Sequence, residues 1–224
     1  MLEAIGDMDH RQMADHSNDP REQLLQKIKE AFDADPQAFL NQTANLRTPD
    51  VTMIGTVVQL YCFADFNARR LVNALQHAAT GKPRSTSRLQ DAQVFPALRV
   101  LALKQLPDSN IQQGILKALD TLEMHRVHRH NFAHWAARRI KGVEALILFS
   151  SNAREAEKRN YEAHEPGEAT YGILPLEGFD GEVRKLRDHT NYLARTAAHV
   201  EQHIAEFAVE IAEHQFRTAD HKEN

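Results

Sequence analysis

The feature that most constrains the fold is an apolar stripe within residues 51–79, where hydrophobic side chains recur every three or four positions. This spacing places them on one face of a single long helix. Thr48-Pro49 is a helix-start signal, and Gly81 and Pro83 stop the pattern. We therefore predict a helix that crosses the core, with other helices packed around it. The stripe consists of Ile54, Val57, Tyr61, Ala64, Ala68, Leu71 and Leu75.

Further helices are predicted on both sides of this central one. Residues 1–18 are polar and aperiodic, and we expect a flexible tail there. Asp19-Pro20 and Asp35-Pro36 each combine an N-cap residue with a proline, and they predict two helices in an N-terminal helical extension of residues 19–50. The segments that follow the central helix are a polar linker at 80–91, a helix at about 92–106, and a helix that begins near 109 and whose apolar rhythm continues through 143.

The C-terminal third of the chain combines short strands with a long helix. Two short apolar runs flank a charged segment and predict a two-stranded β-hairpin at about 144–177. Apolar residues three or four apart then span 183–211 and predict one long terminal helix, before a polar tail at 217–224. The predicted fold class is mainly α, with a helical bundle over 51–216. A small β-hairpin insertion lies between the helix that carries the motif described below and the long C-terminal helix.

Composition restricts the class of protein. Hydrophobic residues make up 42% and charged residues 26% of the chain, which is the balance of a globular protein. No apolar run approaches the ~20 residues of a membrane-spanning helix, and the first residues lack a secretory signal pattern. We therefore expect a cytoplasmic protein with no membrane partner. Cys62 is the only cysteine, so an internal disulfide is excluded, and its apolar neighbours predict a buried, inert thiol.

A basic, histidine-rich segment at residues 124–143, called the basic island below, contrasts with the rest of the chain. The formal net charge of the protein is -4, yet the island contains no Asp or Glu. Guanidinium groups can neutralise phosphate, and imidazole groups can carry protons near neutral pH. The cationic and titratable residues of the island are Arg126, Arg129, Arg138, Arg139, Lys141, His125, His128, His130 and His134.

Two interpretations of the island do not involve RNA. The first is a solvated basic helix face with capping histidines, although a face of that kind would need only Lys and Arg. The second is a metal site, because His130 and His134 lie one helical turn apart and His199 and His203 repeat the spacing. Asn131 stands where the zinc-protease pattern needs Glu, and no Glu stands three residues before any histidine. We therefore expect no metal and no other cofactor.

The third interpretation is a metal-free phosphodiesterase site. Cleaving RNA without a metal needs a base for the 2′-hydroxyl, a group that stabilises the leaving oxygen, and a cation on the phosphate. Imidazole and guanidinium groups suit these tasks. Five residues along an ideal helix separate two side chains by about 140°. Arg129 and His134 would therefore converge only if the segment straddles a helix start or pairs with a second copy, and Asn131, a good capping residue, favours a helix start.

The six residues Arg129-His130-Asn131-Phe132-Ala133-His134 resemble the Arg-x4-His signature of the HEPN (higher eukaryotes and prokaryotes nucleotide-binding) domains. In that family the signature follows one helical segment and opens the next. The later strands and the closing helix are similar to those of members with a hairpin insertion, so the resemblance covers roughly residues 50–216. It implies a helical bundle that dimerises so that two copies of the motif face each other across a cleft.

The resemblance also implies an activity. Many members are metal-independent endoribonucleases of toxin–antitoxin, abortive-infection or antiviral (anti-phage) systems, and they leave a 2′,3′-cyclic phosphate. Carried over to this chain, Arg129 would bind the scissile phosphate and His134 would act as base or acid, with His130 and Asn131 shaping the turn. The implied partners are RNA, a second copy of the chain to form a homodimer, and an antitoxin or other regulatory protein.

Alternatives remain open for the function and for two of the site residues. One alternative is a catalytically inactive bundle that binds a nucleotide, RNA or a protein partner through the same basic cleft, and another is a purely structural interaction protein. Arg126 is assigned to substrate binding beside Arg129. Asp65 is either the i,i+4 ion-pair partner of Arg69 or a group that orients a basic residue of the island.

Overall fold

A computed structural model describes residues 20–83, 85–150 and 170–220, and these residues form a helical bundle with one small sheet. Helices make up most of the described residues, so the mainly α fold class is confirmed. The sheet lies in sequence between the motif helix and the C-terminal helices, as predicted. The predicted tail at 1–18 and most of the connection within the hairpin lie outside the described residues. The elements are α1 (Pro20–Ala34), α2 (Pro36–Asn41), α3 (Thr48–Thr80), α4 (Asp91–Gln105), α5 (Asn110–His134), β1 (Ala136–Arg139), β2 (Ala145–Ser150), β3 (Thr170–Pro175), α6 (Phe179–Gln202) and α7 (Ile204–Asp220).

Helix α3 forms the centre of the bundle, as its apolar stripe predicted. Helices α4, α5, α6 and α7 all pack against it. Gly81 ends the helix with φ of 70°, a left-handed conformation that favours glycine. No helix in the described part of the chain is both long and apolar enough to cross a membrane. Every stripe residue but the half-buried Ile54 is buried, namely Val57, Tyr61, Ala64, Ala68, Leu71 and Leu75.

The terminal helix is interrupted once, contrary to the prediction of a single long helix. His203 separates α6 from α7 and leaves helical geometry, with φ of -120° and ψ of 32°. Its backbone N–H still donates to the carbonyl of His199 at 3.1 Å. Val200 and Phe207, on opposite sides of the interruption, are both buried. The apolar rhythm continues through the break because both helices face the same core, so periodicity alone did not reveal it.

The sheet has three antiparallel strands in the order β1-β2-β3, one strand more than predicted. Strands β2 and β3 match the two predicted apolar runs, and Leu148 of β2 pairs with Gly172 of β3. Strand β1 lies inside the basic island, where the helical rhythm had been expected to continue. It pairs with β2, and the backbone of Arg139 also exchanges hydrogen bonds of 2.8 and 2.9 Å with Ala44.

The N-terminal extension covers one face of this sheet. Ile28 and Phe32 of α1 are buried, and the Phe32 ring centroid lies 4.0 Å from that of Tyr171 on β3. This contact belongs to a second hydrophobic cluster, separate from the main core. The extension therefore shields the sheet that follows the motif helix. The buried members of the cluster are Ile28, Phe32, Ile140, Ala145 and Ile147.

Candidate functional site

The motif lies at the end of a helix and not at a helix start. Helix α5 runs without interruption to His134, and Trp135 then turns to extended geometry while its N–H donates to the carbonyl of Asn131 at 2.8 Å. Asn131 is thus inside the last turn, and the expectation that it caps a new helix is wrong. The physical reason is the pairing of the next residues with β2 and Ala44, which ends α5 from outside the motif.

Two arginines of the basic island hold the fold together. Arg139 and Asp50 are buried, and Arg139 Nη1 lies 2.7 Å from Asp50 Oδ1. The other terminal nitrogen of Arg139 pairs with Glu144. Arg138 Nε donates to Thr43 Oγ1 at 3.1 Å. These contacts tie the first turn of α3 and the segment before it to the sheet, so neither arginine is directed at a ligand.

Two histidines of the island face helix α6. His125 is 4% exposed, and its Nε2 lies 3.5 Å from Glu182 Oε2. The His128 ring meets Phe179 edge-on, with centroids 5.6 Å apart. Burial lowers the pKa of both imidazoles, against the opposing effect of Glu182. Both are therefore neutral at pH 7 and belong to the packing of α5 on α6.

Three other island residues of α5, Arg126, Arg129 and His130, line a cavity of about 300 Å³. Helix α3 and the first turn of α4 supply the other walls. The structure therefore brings together four of the residues proposed from sequence, while Asn131 and His134 lie outside the lining. The lining comprises Arg126, Arg129 and His130 from α5, Tyr61, Cys62 and Asp65 from α3, and Asp91 and Ala92 from α4.

Arg129 is the island residue that reaches α3. Its guanidinium carbon lies 6.0 Å from the centroid of the Tyr61 ring, and its Nε is buried with no hydrogen-bond acceptor among the described residues. Burial raises the pKa of the Tyr61 hydroxyl well above its usual value, so this group stays protonated. A buried N–H without an acceptor costs roughly 1–3 kcal/mol. An anion held by Arg129 would remove that cost.

The acidic residues of the cavity are paired with a different cation. Arg69 Nε lies 2.7 Å from Asp65 Oδ2, and Arg69 Nη2 lies 3.0 Å from Asp91 Oδ1. The i,i+4 interpretation of Asp65 is therefore the one that the structure shows. Within the described part of the chain, neither Arg126 nor Arg129 hydrogen-bonds to Asp65. The single charge of Arg69 is shared by these two carboxylates, and Arg126 Nη1 lies 3.6 Å from Glu123 Oε2. The three arginines therefore balance the three carboxylates, and Arg129, which lies over the Tyr61 ring, is the guanidinium group available to a ligand.

His130 links the cavity to His134. Their ring centroids are 4.4 Å apart, and His134 is exposed as the last residue of α5. Since α5 is continuous, Arg129 and His134 point about 140° apart and do not converge within one chain. A similar ring pair, His199 and His203, lies at the C-terminal end of α6. Over the residues that the structure describes, no three His, Cys, Asp or Glu side chains are placed to hold one metal ion, so the four imidazoles do not meet.

Sequence reasoning missed the other four residues of the cavity wall, which are Tyr61, Cys62, Asp91 and Ala92. Cys62 is exposed and lines the cavity, so the prediction of a buried thiol is wrong. Tyr61 was assigned only to the core stripe, and Asp91 only to a linker. Helical geometry could have indicated Tyr61 and Cys62, because they precede Asp65 by four and three positions and therefore lie on the same side of α3. What the sequence lacked was the identity of the helix that packs opposite that face.

The site combines guanidinium groups, which can bind phosphate, with imidazole groups, which can transfer protons. Arg126 and Arg129 can hold phosphate oxygens through charge-assisted hydrogen bonds. The imidazoles of His130 and His134 are groups of the kind that transfer protons to and from a bound substrate. All four residues belong to the C-terminal end of α5. The chain matches no protein-family model, no curated protein and no solved structure.

Proposed function

We propose that this protein is a metal-independent endoribonuclease of the HEPN type. Arg126 and Arg129 bind phosphate groups of RNA at the cavity, and His130 and His134 transfer the protons. The observation that carries the proposal is the shared cavity of Arg126, Arg129 and His130, in which the two aspartates pair with Arg69 and not with Arg129. The buried Nε of Arg129 supports it, because a phosphate oxygen is a suitable acceptor.

The reaction needs only groups that the site contains. The 2′-oxygen of a ribose attacks the adjacent phosphorus while one imidazole takes the 2′-hydroxyl proton. The bond to the 5′-oxygen breaks as a second imidazole, in its protonated form, donates a proton to that oxygen. The products are a 2′,3′-cyclic phosphate and a 5′-hydroxyl end. The arginines offset the charge that develops on the non-bridging phosphate oxygens.

A second copy of the chain completes the proposed site. Because Arg129 and His134 diverge on α5, a site that uses both takes them from two chains. Met124 and Val127, which are 67% and 56% exposed, share the outward stripe of α5 with His134. An exposed apolar stripe beside a site residue suits a two-fold contact. The proposed setting is a cytoplasmic homodimer of a toxin–antitoxin or anti-phage system, restrained by an antitoxin or other regulatory protein.

The experiment that tests the activity is incubation of the purified protein with total cellular RNA in excess chelator. Fragment pattern and end chemistry are compared for wild type, His134→Ala and Arg129→Ala. The matched control is His199→Ala, which removes one imidazole from the other ring pair. We expect cyclic-phosphate ends from wild type and from the control. Loss of general acid–base catalysis should slow His134→Ala by about 100-fold or more.

A catalytically inactive binding protein is the second candidate. It is favoured by the divergence of Arg129 and His134, which leaves the residues of one chain unable to act together. Intact RNA, with salt-sensitive binding that Arg129→Ala removes, would select this candidate over the enzyme. A purely structural interaction protein predicts that Arg129→Ala changes neither cleavage nor binding.

A further inference from the structure

Two phenylalanines are exposed on the outward face of α3. Phe63 and Phe66 are 45% and 55% exposed, their ring centroids lie 6.4 Å apart, and their planes differ by only 14°. The guanidinium carbon of Arg70 lies 5.8 Å from the Phe66 centroid. The pair therefore presents nearly parallel aromatic surfaces to solvent, and the guanidinium group beside Phe66 is paired with Glu201 of α6.

The aromatic pair lies next to one residue of the cavity wall. Cys62 lines the cavity and is exposed. Phe63 is the next residue along α3, and Phe66 lies one turn beyond Cys62 on the same side of the helix, where side chains are about 5–6 Å apart at Cβ. A ligand that fills the cavity and extends past Cys62 would therefore meet the aromatic rings.

Charge and aromatic surface together indicate the kind of ligand. Proteins bind single-stranded nucleic acid through cationic groups that hold the phosphates and aromatic side chains on which unpaired bases stack. In a duplex the base faces are already stacked on their neighbours and are not available to a side chain. The guanidinium group of Arg129, which has no carboxylate partner among the described residues, matches a phosphate, and the nearby rings match a base.

We propose that Phe63 and Phe66 form a stacking platform for an unpaired base of the RNA whose phosphate occupies the cavity. The substrate class is accordingly single-stranded RNA, or an unpaired loop, and not duplex RNA. This inference rests on the proposed function and adds the identity of the substrate to it. A second copy of the chain is the competing occupant of the rings, and the experiment below separates the two.

The test is fluorescence anisotropy with a fluorescein-labelled, unstructured RNA oligonucleotide and with the same oligonucleotide annealed to its complement. All variants carry His134→Ala and are measured in excess chelator, so that the RNA stays intact. We expect Phe66→Ala to weaken binding of the single strand by roughly 5- to 150-fold, from the stacking contribution of one base. Binding of the duplex should not change, and Phe66→Trp should retain the affinity of the parent protein.

Phe216→Ala is the matched control, because Phe216 is a 70% exposed phenylalanine on α7. Its neighbour Gln215 bonds to Gln105 at the end of α4 opposite the cavity, about 20 Å away along that helix. This variant should bind like the parent protein. Sedimentation of each variant reports whether the oligomeric state changes.

Three results would overturn the platform. If Phe66→Ala binds the single strand like the parent while Arg129→Ala does not, the cavity binds RNA without the rings. If Phe66→Ala becomes monomeric, the rings belong to a subunit contact. If the parent protein binds no RNA, the proposed function fails together with the platform.

Discussion

Arg139 and Asp50 form a buried ion pair, 6% and 4% exposed. Removing one member of such a pair leaves a charge in a poorly solvated site and costs about 3–5 kcal/mol. Glu144 also pairs with Arg139, so we expect Asp50→Ala to lower the free energy of unfolding by about 3 kcal/mol, the lower end of that range. Urea unfolding followed by circular dichroism measures this loss.

Arg217→Ala is the control for that measurement. Arg217 and Glu213 form an exposed ion pair at 3.0 Å, and pairs of this kind contribute about 0–1 kcal/mol. If Asp50→Ala costs no more than Arg217→Ala, the buried pair does not hold the first turn of α3 to the sheet, and the structural role given to Arg139 is wrong.

The buried imidazoles predict a loss of stability in acid. Burial lowers the pKa of His125 and His128 below the unfolded value of about 6.5. At a pH of about 6.5 the unfolded chain therefore binds more protons than the folded chain. The free energy of unfolding falls as the pH decreases through about 6.5. We expect the double variant His125→Asn/His128→Asn to show a flatter pH dependence between about pH 7 and pH 5.5 in urea unfolding.

The charged groups around these imidazoles define what should remain in that double variant. On α6, burial also lowers the pKa of His189, so this residue keeps part of the acid sensitivity. A hydrogen bond from Lys185 lowers the pKa of Glu182, which stays ionised throughout the window. The exposed His199→Asn variant should keep the wild-type pH dependence. Equal dependence in wild type and in the double variant would contradict this assignment.

At the scale of elements, helix starts were predictable because they depend on adjacent residues. Asp35-Pro36 opens α2, with Asp35 Oδ1 accepting from the Ala38 N–H at 2.9 Å. The end of α5 was not predictable, because β1 consists of Ala and Arg, which are good helix formers. Strand β1 forms through partners far away in sequence, on β2 and at Ala44. The misplaced helix start at the motif has the same cause.

Helix packing makes two glycines respond in opposite ways to substitution by alanine. A Cβ on Gly114 of α5 would lie 2.0 Å from the hydroxyl oxygen of Tyr192 and 2.4 Å from its ring carbon, so the ring must move. That hydroxyl donates to the Ile111 carbonyl at 3.3 Å. We expect Gly114→Ala to destabilise the protein by about 1–3 kcal/mol in urea unfolding, despite the helix propensity of alanine.

Gly55→Ala is the matched variant on α3, where nothing lies within 4 Å of the added Cβ. Here only the backbone entropy of the unfolded chain changes, and stability should rise by about 0.5–1 kcal/mol. A stabilising Gly114→Ala would show that Tyr192 moves without cost, and that the close approach of α5 to α6 is not limited by this residue.

At the scale of the whole molecule, the sequence indicated which kinds of residue form the site, but it did not fully indicate which residues share the cavity. Arg126, Arg129, His130 and Asp65 do share a cavity, because three of them lie on one side of α5. The exposure of Cys62 was not predicted, because it depends on the gap that α4 and α5 leave beside α3. The division of the basic island into cavity, core and strand depends on tertiary packing in the same way.

The composite site makes a prediction that only an assembly of two chains can satisfy. If each site takes Arg129 from one chain and His134 from its partner, a dimer of an Arg129→Ala chain with a His134→Ala chain has one site that lacks both residues and one intact site. Random mixing makes half of the dimers mixed, so the two inactive variants together should regain about a quarter of wild-type RNA cleavage. Each variant refolded alone is the control. Mixed dimers that form, as shown by tags of different mass, but stay inactive would place the reaction within one chain. Within one chain the imidazole beside His134 is His130, which lies 4.4 Å away between ring centroids and shares the cavity with Arg129, so His130→Ala would then abolish cleavage as well.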